Sequence, residues 1–322
     1  MIEVLACGPL VTVQDGGRPG WLADGLAEGG AADRRALEEA RALLGHAGAG
    51  IETPGAPLRL KLHVNTTVAL TGAPMRAAAD GRALAWNACH PLPTGTVLDL
   101  RPTGEGVYSY VHVGGGLTMP EVLGSRSAHL IAGIGEPLAP GDSLPCAAFA
   151  GAARRVAAAD RMGGGLLRLL PTPQTRMFSR DAIERFENAM FRRDARGNRQ
   201  GVRLTSDGQE FATEGQLGLL SDFILPGDVQ MTGDGVPYIL GPECQTTGGY
   251  PRIGSVIAAD LPRALQAVPG AKVRFRFVTL AEAQAARPGQ PTVEPLTRDP
   301  AEVPDLLSLQ LVGGVVSARE DG

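Results

Sequence analysis

The sequence predicts a mainly β chain, built as two similar β-rich units with a few short helices. Three observations predict it. Apolar and polar residues alternate over many short segments in both halves. Turns of the Pro-Gly or Pro-x-Gly type precede such segments at Pro93-Thr94-Gly95, Pro140-Gly141, Pro226-Gly227 and Pro269-Gly270. Helix-start signals are few. Alternation marks a strand with one buried face. Proline presets φ at the second turn position and glycine accepts the positive φ that follows. Recurrence in both halves suggests a repeated unit, although common turn chemistry gives the same pattern.

The elements follow in order. The apolar run 4–13 reads as a first strand. Residues 64–71, 97–100 and 107–113 read as strands in the first half, and 238–240, 255–258 and 273–278 in the second. Asp33 is placed to cap a helix running to about Leu44, with Leu37, Ala40 and Leu44 on one face and Gly45 ending it. Thr118 caps a short helix through Leu123, stopped by Gly124. Ser179 caps a third, with Ile183, Phe186 and Met190 inward. Asp260 caps a last turn that tolerates Pro262. Residues 147–165 are rich in alanine and glycine without a period. They divide the chain into an N-terminal unit 1–146, a linker 147–165, a C-terminal unit 166–285 and a partly disordered tail 286–322. Within the tail, residues 306–316 are apolar enough for a last strand pair turning at Gly313-Gly314.

Composition narrows the function. The chain has 322 residues, 43% hydrophobic and 20% charged, so a sizeable core is expected and wholesale disorder is not. A net charge of -4 without a basic run argues against nucleic acid or an anionic membrane surface as partner. The start, Met1-Ile2-Glu3-Val4-Leu5, lacks a basic region and its apolar run breaks at Gly8-Pro9, so no secretory leader is expected. No apolar stretch nears the roughly 18 residues a spanning helix needs. Cys7, Cys89, Cys146 and Cys244 are scattered singly, which fits reduced thiols and a cytoplasmic protein. The five histidines, His46, His63, His90, His112 and His129, fit no metal motif. Only two lysines occur, Lys61 and Lys272. No Walker-type phosphate loop exists and neither lysine sits in a biotin-attachment setting, so anions fall to arginine forks.

Four segments carry chemistry. In Gln14-Asp15-Gly16-Gly17-Arg18, the glycines let backbone approach a ligand, Asp15 is an acid or base candidate and Arg18 an anion holder; the alternative is a tight turn with an Asp15–Arg18 surface pair. Ser125-Arg126-Ser127 offers two hydroxyls and a guanidinium for an oxyanion or phosphate, or is a solvated turn. Arg199 and Arg203, four apart in an extended stretch, share a face and either clamp an anion or stand as exposed charges. Gln245-Thr246-Thr247-Gly248-Gly249-Tyr250-Pro251 combines hydrogen-bonding side chains, a glycine pair and a ring, more specific groups than a plain β-turn uses, and reads as ligand-facing.

In this order, over about residues 4–285, these segments resemble the allophanate hydrolase subunit 2 family. Six signatures carry the resemblance: Val13-Gln14-Asp15 with Gly17-Arg18-Pro19-Gly20; Gly30-Ala31-x-Asp33; Leu70-Thr71-Gly72-Ala73; Gly115-Gly116 followed by Val122-Leu123-Gly124-Ser125-Arg126-Ser127; Gly201-x-Arg203-Leu204; and the Gln245–Pro251 loop. The sequence departs from the family at Gly16, where a larger apolar residue is usual, and around Gly197-Asn198-Arg199, where an acid is lost. The family includes the C-type subunit of 5-oxoprolinase, the antagonist of a sporulation kinase inhibitor, and part of the carboxyltransferase region of urea carboxylase. It implies cyclophilin-like β-barrel units and partner chains resembling the B-type and A-type subunits of 5-oxoprolinase. It also implies ATP-dependent opening of 5-oxo-L-proline to glutamate, with the lactam carbonyl activated by phosphorylation. One arginine would hold the substrate carboxylate and others the phosphates of an ATP bound jointly with a partner. The alternatives are a carboxyltransferase served by a separate biotinylated carrier, since this chain carries no biotin, and a regulatory binder of a kinase inhibitor.

Overall fold

A computed structural model describes residues 1–46, 48–208, 211 and 219–297. The first half runs β1 (Ile2–Cys7), β2 (Thr12–Gln14), α1 (Arg34–Leu44), β3 (Gly50–Pro54), β4 (Leu58–Leu62), β5 (Thr66–Gly72), β6 (Met75–Ala79), β7 (Arg82–Leu84), β8 (Ala88–Leu92), β9 (Val97–Pro102), β10 (Tyr108–Val113), β11 (Ser143–Leu144) and β12 (Arg154–Val156). The second runs β13 (Gly165–Leu170), α2 (Arg180–Asn188), β14 (Phe191–Asn198), β15 (Gly201–Ser206), β16 (Asp222–Phe223), β17 (Asp228–Met231), β18 (Pro237–Leu240), β19 (Thr247–Gly248), β20 (Arg252–Val256), α3 (Leu261–Gln266), β21 (Lys272–Phe277), α4 (Leu280–Ala285) and β22 (Val293–Pro295). The chain is mainly β with few short helices, as its alternation predicts. The strand pair expected at 306–316, like the rest of the tail beyond 297, lies outside the described residues. Among the described residues, no helix is long and apolar enough to cross a membrane.

In the first unit, a sheet ordered β11-β1-β4-β9-β6-β7 and one ordered β2-β3-β10-β5-β8-β12-β22 enclose a shared core of aliphatic side chains. The pleat explains its composition. Leu58, Leu60 and Leu62 point inward from β4 while Arg59 and Lys61 alternate away. The second unit is a closed barrel, β13-β20-β17-β18-β15-β14-β21, sealed by the parallel pair β13 and β21. It is filled by Phe186, Phe191, Phe211 and Phe275, whose stacked and tilted rings lie 4.8–5.6 Å apart. The same core continues into Ala31, Ala32, Ala36, Tyr108 and Tyr110 of the first unit, so the two units share one apolar interior. The stretch 147–165 contributes β12 to the second sheet, where it pairs with β8, and β22 returns from beyond the barrel to pair with β12.

Helix α1 forms as its pattern predicts. The Asp33 carboxylate accepts from the Ala36 N–H at 3.1 Å, and Gly45 closes the helix at φ +83°. Three expected elements differ. The run 4–13 is split between β1 and β2, which lie in different sheets, because Pro9 cannot continue the ladder and Leu10 turns at φ +59°. The helix expected from Thr118 is absent. Met119 precedes a proline, which disfavours the α region, and Leu123 and Gly124 both take positive φ (+53° and +79°) in a tight turn. Asp260 leads α3 but its side chain caps nothing; it accepts instead from Arg168 Nε and Nη2, at 2.8 and 2.6 Å.

Candidate functional site

Strand β2 ends at Gln14 and the chain turns through Asp15-Gly16-Gly17. The turn is tight because Gly30 crosses it: a Cβ on Gly30 would lie 2.6 Å from the Gly17 nitrogen. The Asp15 carboxylate accepts from Ser125 Oγ (2.6 Å), Ser127 Oγ, the Arg126 N–H (2.7 Å) and the Gly17 N–H (2.9 Å). Burial alone would raise its pKa, but these hydrogen bonds outweigh burial and hold the carboxyl below its ordinary range. The sequence-predicted trio Asp15, Ser125 and Ser127 is therefore brought together, joined by the Arg126 backbone. The Arg126 guanidinium donates to the Met119 carbonyl (2.7 Å) and pairs with Glu121 (2.7 Å). Asp15, Gly17 and Arg126 line a pocket of about 290 Å³ against the Ala40 face of α1.

Gln14 and Arg18 are fully buried, so the alternative of an Asp15–Arg18 surface pair does not hold. Gln14 Nε2 donates to Thr12 Oγ1 (3.0 Å) and the Ala128 carbonyl (3.1 Å). Arg18 donates through Nη2 to the Ser127 carbonyl and through Nε to that of Val122 (3.4 Å). These bonds tie β2 to the segment around Ser127. They leave Gln14 Oε1, Arg18 Nη1 and the nearby His129 Nε2 without protein partners among the described residues.

Arg199 and Arg203 do not share a face. Arg199 lies in the tight turn between β14 and β15, where strand alternation does not apply. It reaches into the first unit, donating to Glu52 through Nη1, to Glu243 through Nε and to the Gly30 carbonyl through Nη2. Glu52 also accepts from the Ala32 N–H (2.9 Å) and the Tyr110 hydroxyl (2.7 Å). Burial works against the charge on Arg199, but the two carboxylates hold its pKa above the ordinary value. Arg203 lies on β15 between the inward Val202 and Leu204, so it points out of the barrel and pairs with Asp194 at 2.6 Å.

The loop 245–251 runs along the other side of that turn. Gln245 and Tyr250 line a pocket of about 340 Å³ with Gln230, Tyr238 and Gln200. Gln245 Nε2 donates to Gln230 Oε1 (3.4 Å) and Tyr250 is about half exposed. The Thr246 carbonyl accepts from the Ile224 N–H (3.1 Å), and Thr247 in β19 pairs with Phe223.

The largest change from the sequence reading is a groove of about 610 Å³ between the units. It shares Gly197, Asn198 and Gln200 with the Gln245 pocket, so the β14–β15 turn separates the two. Its walls are largely apolar, including Leu10, Val107, Leu130 and Ile131; Tyr108, Arg193, Asn198, Arg199, Gln200 and Glu243 supply the polar groups. Tyr108, Arg193 and Glu243 were missed in the sequence. One signal was available: Phe191 and Arg193 occupy alternate inward positions of β14, so an arginine stands where alternation calls for a core residue. The sequence-predicted set is thus divided: Asp15 and Arg126 at the first pocket, Arg199 at the groove, Gln245 and Tyr250 at the third, and Arg203 on the barrel's outer face.

Comparisons with known proteins agree with this architecture. The family model described as carboxyltransferase domain, subdomain A and B, matches residues 24–277. A protein of Escherichia coli, named as the C-type subunit of 5-oxoprolinase, is 34% identical over 298 residues, covering 90% of this chain and 95% of that one. The crystal structure of TTHA0988 superposes with a TM-score of 0.78 at 31% identity, covering 85% of this chain and 56% of that one. The K. lactis urea amidolyase superposes with a TM-score of 0.78 at 25% identity, covering 88% of this chain and 19% of that one. This chain therefore spans about half of the first of these two structures and about a fifth of the second.

Proposed function

The chain belongs to the carboxyltransferase-domain family, subdomains A and B, and from this premise we propose that it is the C-type subunit of an ATP-dependent 5-oxoprolinase that works with separate A-like and B-like chains. The observation that carries this reading is the end-to-end match to the Escherichia coli protein of that name, which spans 90% of this chain and 95% of that protein. A match of that span concerns the whole architecture and not one shared motif.

The geometry suits a protein that holds a small substrate. The inter-unit groove has apolar walls and few polar groups, the composition of a small-molecule site. Asp15, already saturated by four donors, organises the turn around Ser125 and Ser127 and is poorly placed to move a proton. The groove does not fit a triphosphate. Such a ligand needs several cations or a run of backbone N–H donors, whereas Arg199 is neutralised by two carboxylates and Glu243 lines the same wall. ATP would then bind outside this groove, jointly with a partner chain, and the part of the groove is to bind and orient the lactam. Its four free thiols suit a reducing compartment such as the cytoplasm.

Co-expression with the neighbouring A-like and B-like chains, followed by assay of 5-oxo-L-proline-dependent ATP hydrolysis, tests the reading. Loss of that activity when this chain is omitted is expected; undiminished activity refutes the proposal. A second reading is favoured by the family match and the superposition on urea amidolyase: carboxyl transfer from a separate biotinylated carrier. Carboxyl transfer from free carboxybiotin to an acceptor, dependent on this chain, supports it, and no such transfer counts against it.

A further inference from the structure

The buried arginines of this protein differ in what they touch. Arg161 sits on Asp33 and Glu39, Arg199 on Glu52 and Glu243, and Arg252 on Asp222 and Asp228. Arg18 is held by main-chain carbonyls. Arg193 is 6% exposed, yet among the described residues its guanidinium makes no ion pair and no hydrogen bond, and its Nε is fully enclosed. A buried cation without a hydrogen-bonded partner is unfavourable; Tyr108 and Asp194 favour its charge electrostatically, but burial outweighs them and lowers its pKa. Arg193 lines the inter-unit groove.

The chain keeps that position clear. The ladder between β14 and β15 shifts register between Arg193 and Gly197. A Cβ on Gly197 would come within 2.8 Å of Arg193 Nη2. Only a residue without a side chain leaves the guanidinium where it lies. Gly197 is also free of the positive φ that would require glycine for backbone reasons.

Tyr108 supplies a second group. Gln266 clamps its main chain: Oε1 accepts from the N–H groups of Val107 (2.9 Å) and Tyr108 (2.8 Å), and Nε2 donates to the Tyr108 carbonyl (2.7 Å). Two positions on, the Tyr110 hydroxyl donates to Glu52 and accepts from the Asp33 N–H. The Tyr108 hydroxyl, by contrast, has no hydrogen bond among the described residues, although Tyr108 is 3% exposed and lines the groove. Burial and then Glu52 hold its pKa above the ordinary value, so it is a donor. The groove thus presents one cation without a hydrogen-bonded partner, one free hydroxyl, Asn198 and Gln200 at the β14–β15 turn, the paired Arg199 and Glu243, and otherwise apolar walls. Its complement is a small, mostly apolar molecule with a single negative charge.

We propose that Arg193 is the carboxylate anchor of the inter-unit groove, gripping the one carboxylate of a small lactam, with the Tyr108 hydroxyl as second donor. This rests on the 5-oxoprolinase reading and adds to it which residue holds the acid. Among ring amides, the anchor selects those that carry a carboxylate.

The test uses the assembled three-component enzyme with Arg193→Met, Arg193→Lys and Gly197→Ala in this chain. Loss of a charge-assisted bond that is equally strong in ground and transition states raises KM and leaves kcat. Arg193→Met is expected to raise KM for 5-oxo-L-proline about 10- to 100-fold with kcat within about threefold. Lysine should recover part of the loss, and Gly197→Ala should fall between lysine and methionine. Inhibition by 2-pyrrolidinone, the same ring without the carboxylate, should be equal in wild type and Arg193→Met. An unchanged KM in Arg193→Met overturns the anchor while leaving the enzyme reading intact. If the wild-type assembly shows no 5-oxo-L-proline-dependent ATP hydrolysis, the enzyme reading falls, and calorimetric titration of the purified chain with 5-oxo-L-proline and acetate decides the anchor. Binding weakened at least tenfold by Arg193→Met sustains it; equal binding, or none in the wild type, overturns it.

Discussion

At the scale of single residues, polar identity was legible and partnership was not. Asp15, Ser125 and Ser127 stand out in the sequence as small polar residues among glycines, and the fold does bring them together. What one residue cannot announce is whether its neighbours satisfy it: Arg199 and Arg193 look alike in the sequence, and only the packing gives one two carboxylates and the other none. His112 shows what such packing does to acid stability. It is 3% exposed, stacks beside Tyr110 and has no partner for Nε2 among the described residues. Burial, opposed by a hydrogen bond with the Gly48 main chain, lowers its pKa to about 4. The unfolded chain holds its proton near the ordinary value of about 6.5. Below that pH the unfolded state binds the extra proton first, so stability is full above it and drains as pH falls toward the folded value. Between pH 7 and pH 5 the wild type is expected to lose about 2 kcal/mol more than His112→Gln, measured by urea denaturation at both pH values.

At the scale of elements, alternation located β9 and β21, each with one buried face, and the apolar run 107–113 located β10, buried on both; β4 alternates as clearly and went unread. Patterning failed where a single backbone preference overrode it. Pro9 and Leu10 divide an apolar run between two sheets, and Pro120 with Leu123 unmakes a helix that its capping residue suggested. The crossing of Gly17 and Gly30 is of the same kind, since it is a demand on two backbones that no periodicity encodes. Gly30 has φ +80° and no room for a Cβ. Gly30→Ala is therefore expected to cost about 2–4 kcal/mol. Gly163→Ala, where a Cβ would meet nothing within 4 Å, should stay within about 0.5 kcal/mol. The two denaturation midpoints compare them directly.

At the scale of the whole molecule, two β-rich units were legible from turns recurring in both halves, but strand order and the shared interior were not. Those depend on residues far apart in the chain meeting in one core, as Ala32 and Tyr110 do in the cluster that holds the barrel phenylalanines. Arg199 is the polar counterpart of that shared interior, carrying charge from the barrel to Glu52 of β3. Removing it leaves two carboxylates buried, so Arg199→Ala is expected to destabilise by about 3–5 kcal/mol. A double variant, Arg199→Met with Glu52→Gln, should cost less than the sum of its single changes; strict additivity in a denaturation cycle would show that the pair is not coupled.

The return of β22 to the second sheet has a consequence for biosynthesis. Its partner β12 leaves the ribosome near residue 156, but the strand that covers it arrives only at residue 293. At cellular elongation rates the gap is on the order of ten seconds, during which the second sheet presents a bare rim able to pair with a neighbouring nascent chain. Arg154 and Arg155, both exposed on that rim, put like charges on any two such edges that meet. The barrel is thus made in the interval between a strand and its cover, and the charged pair disfavours the meeting of two such waiting edges.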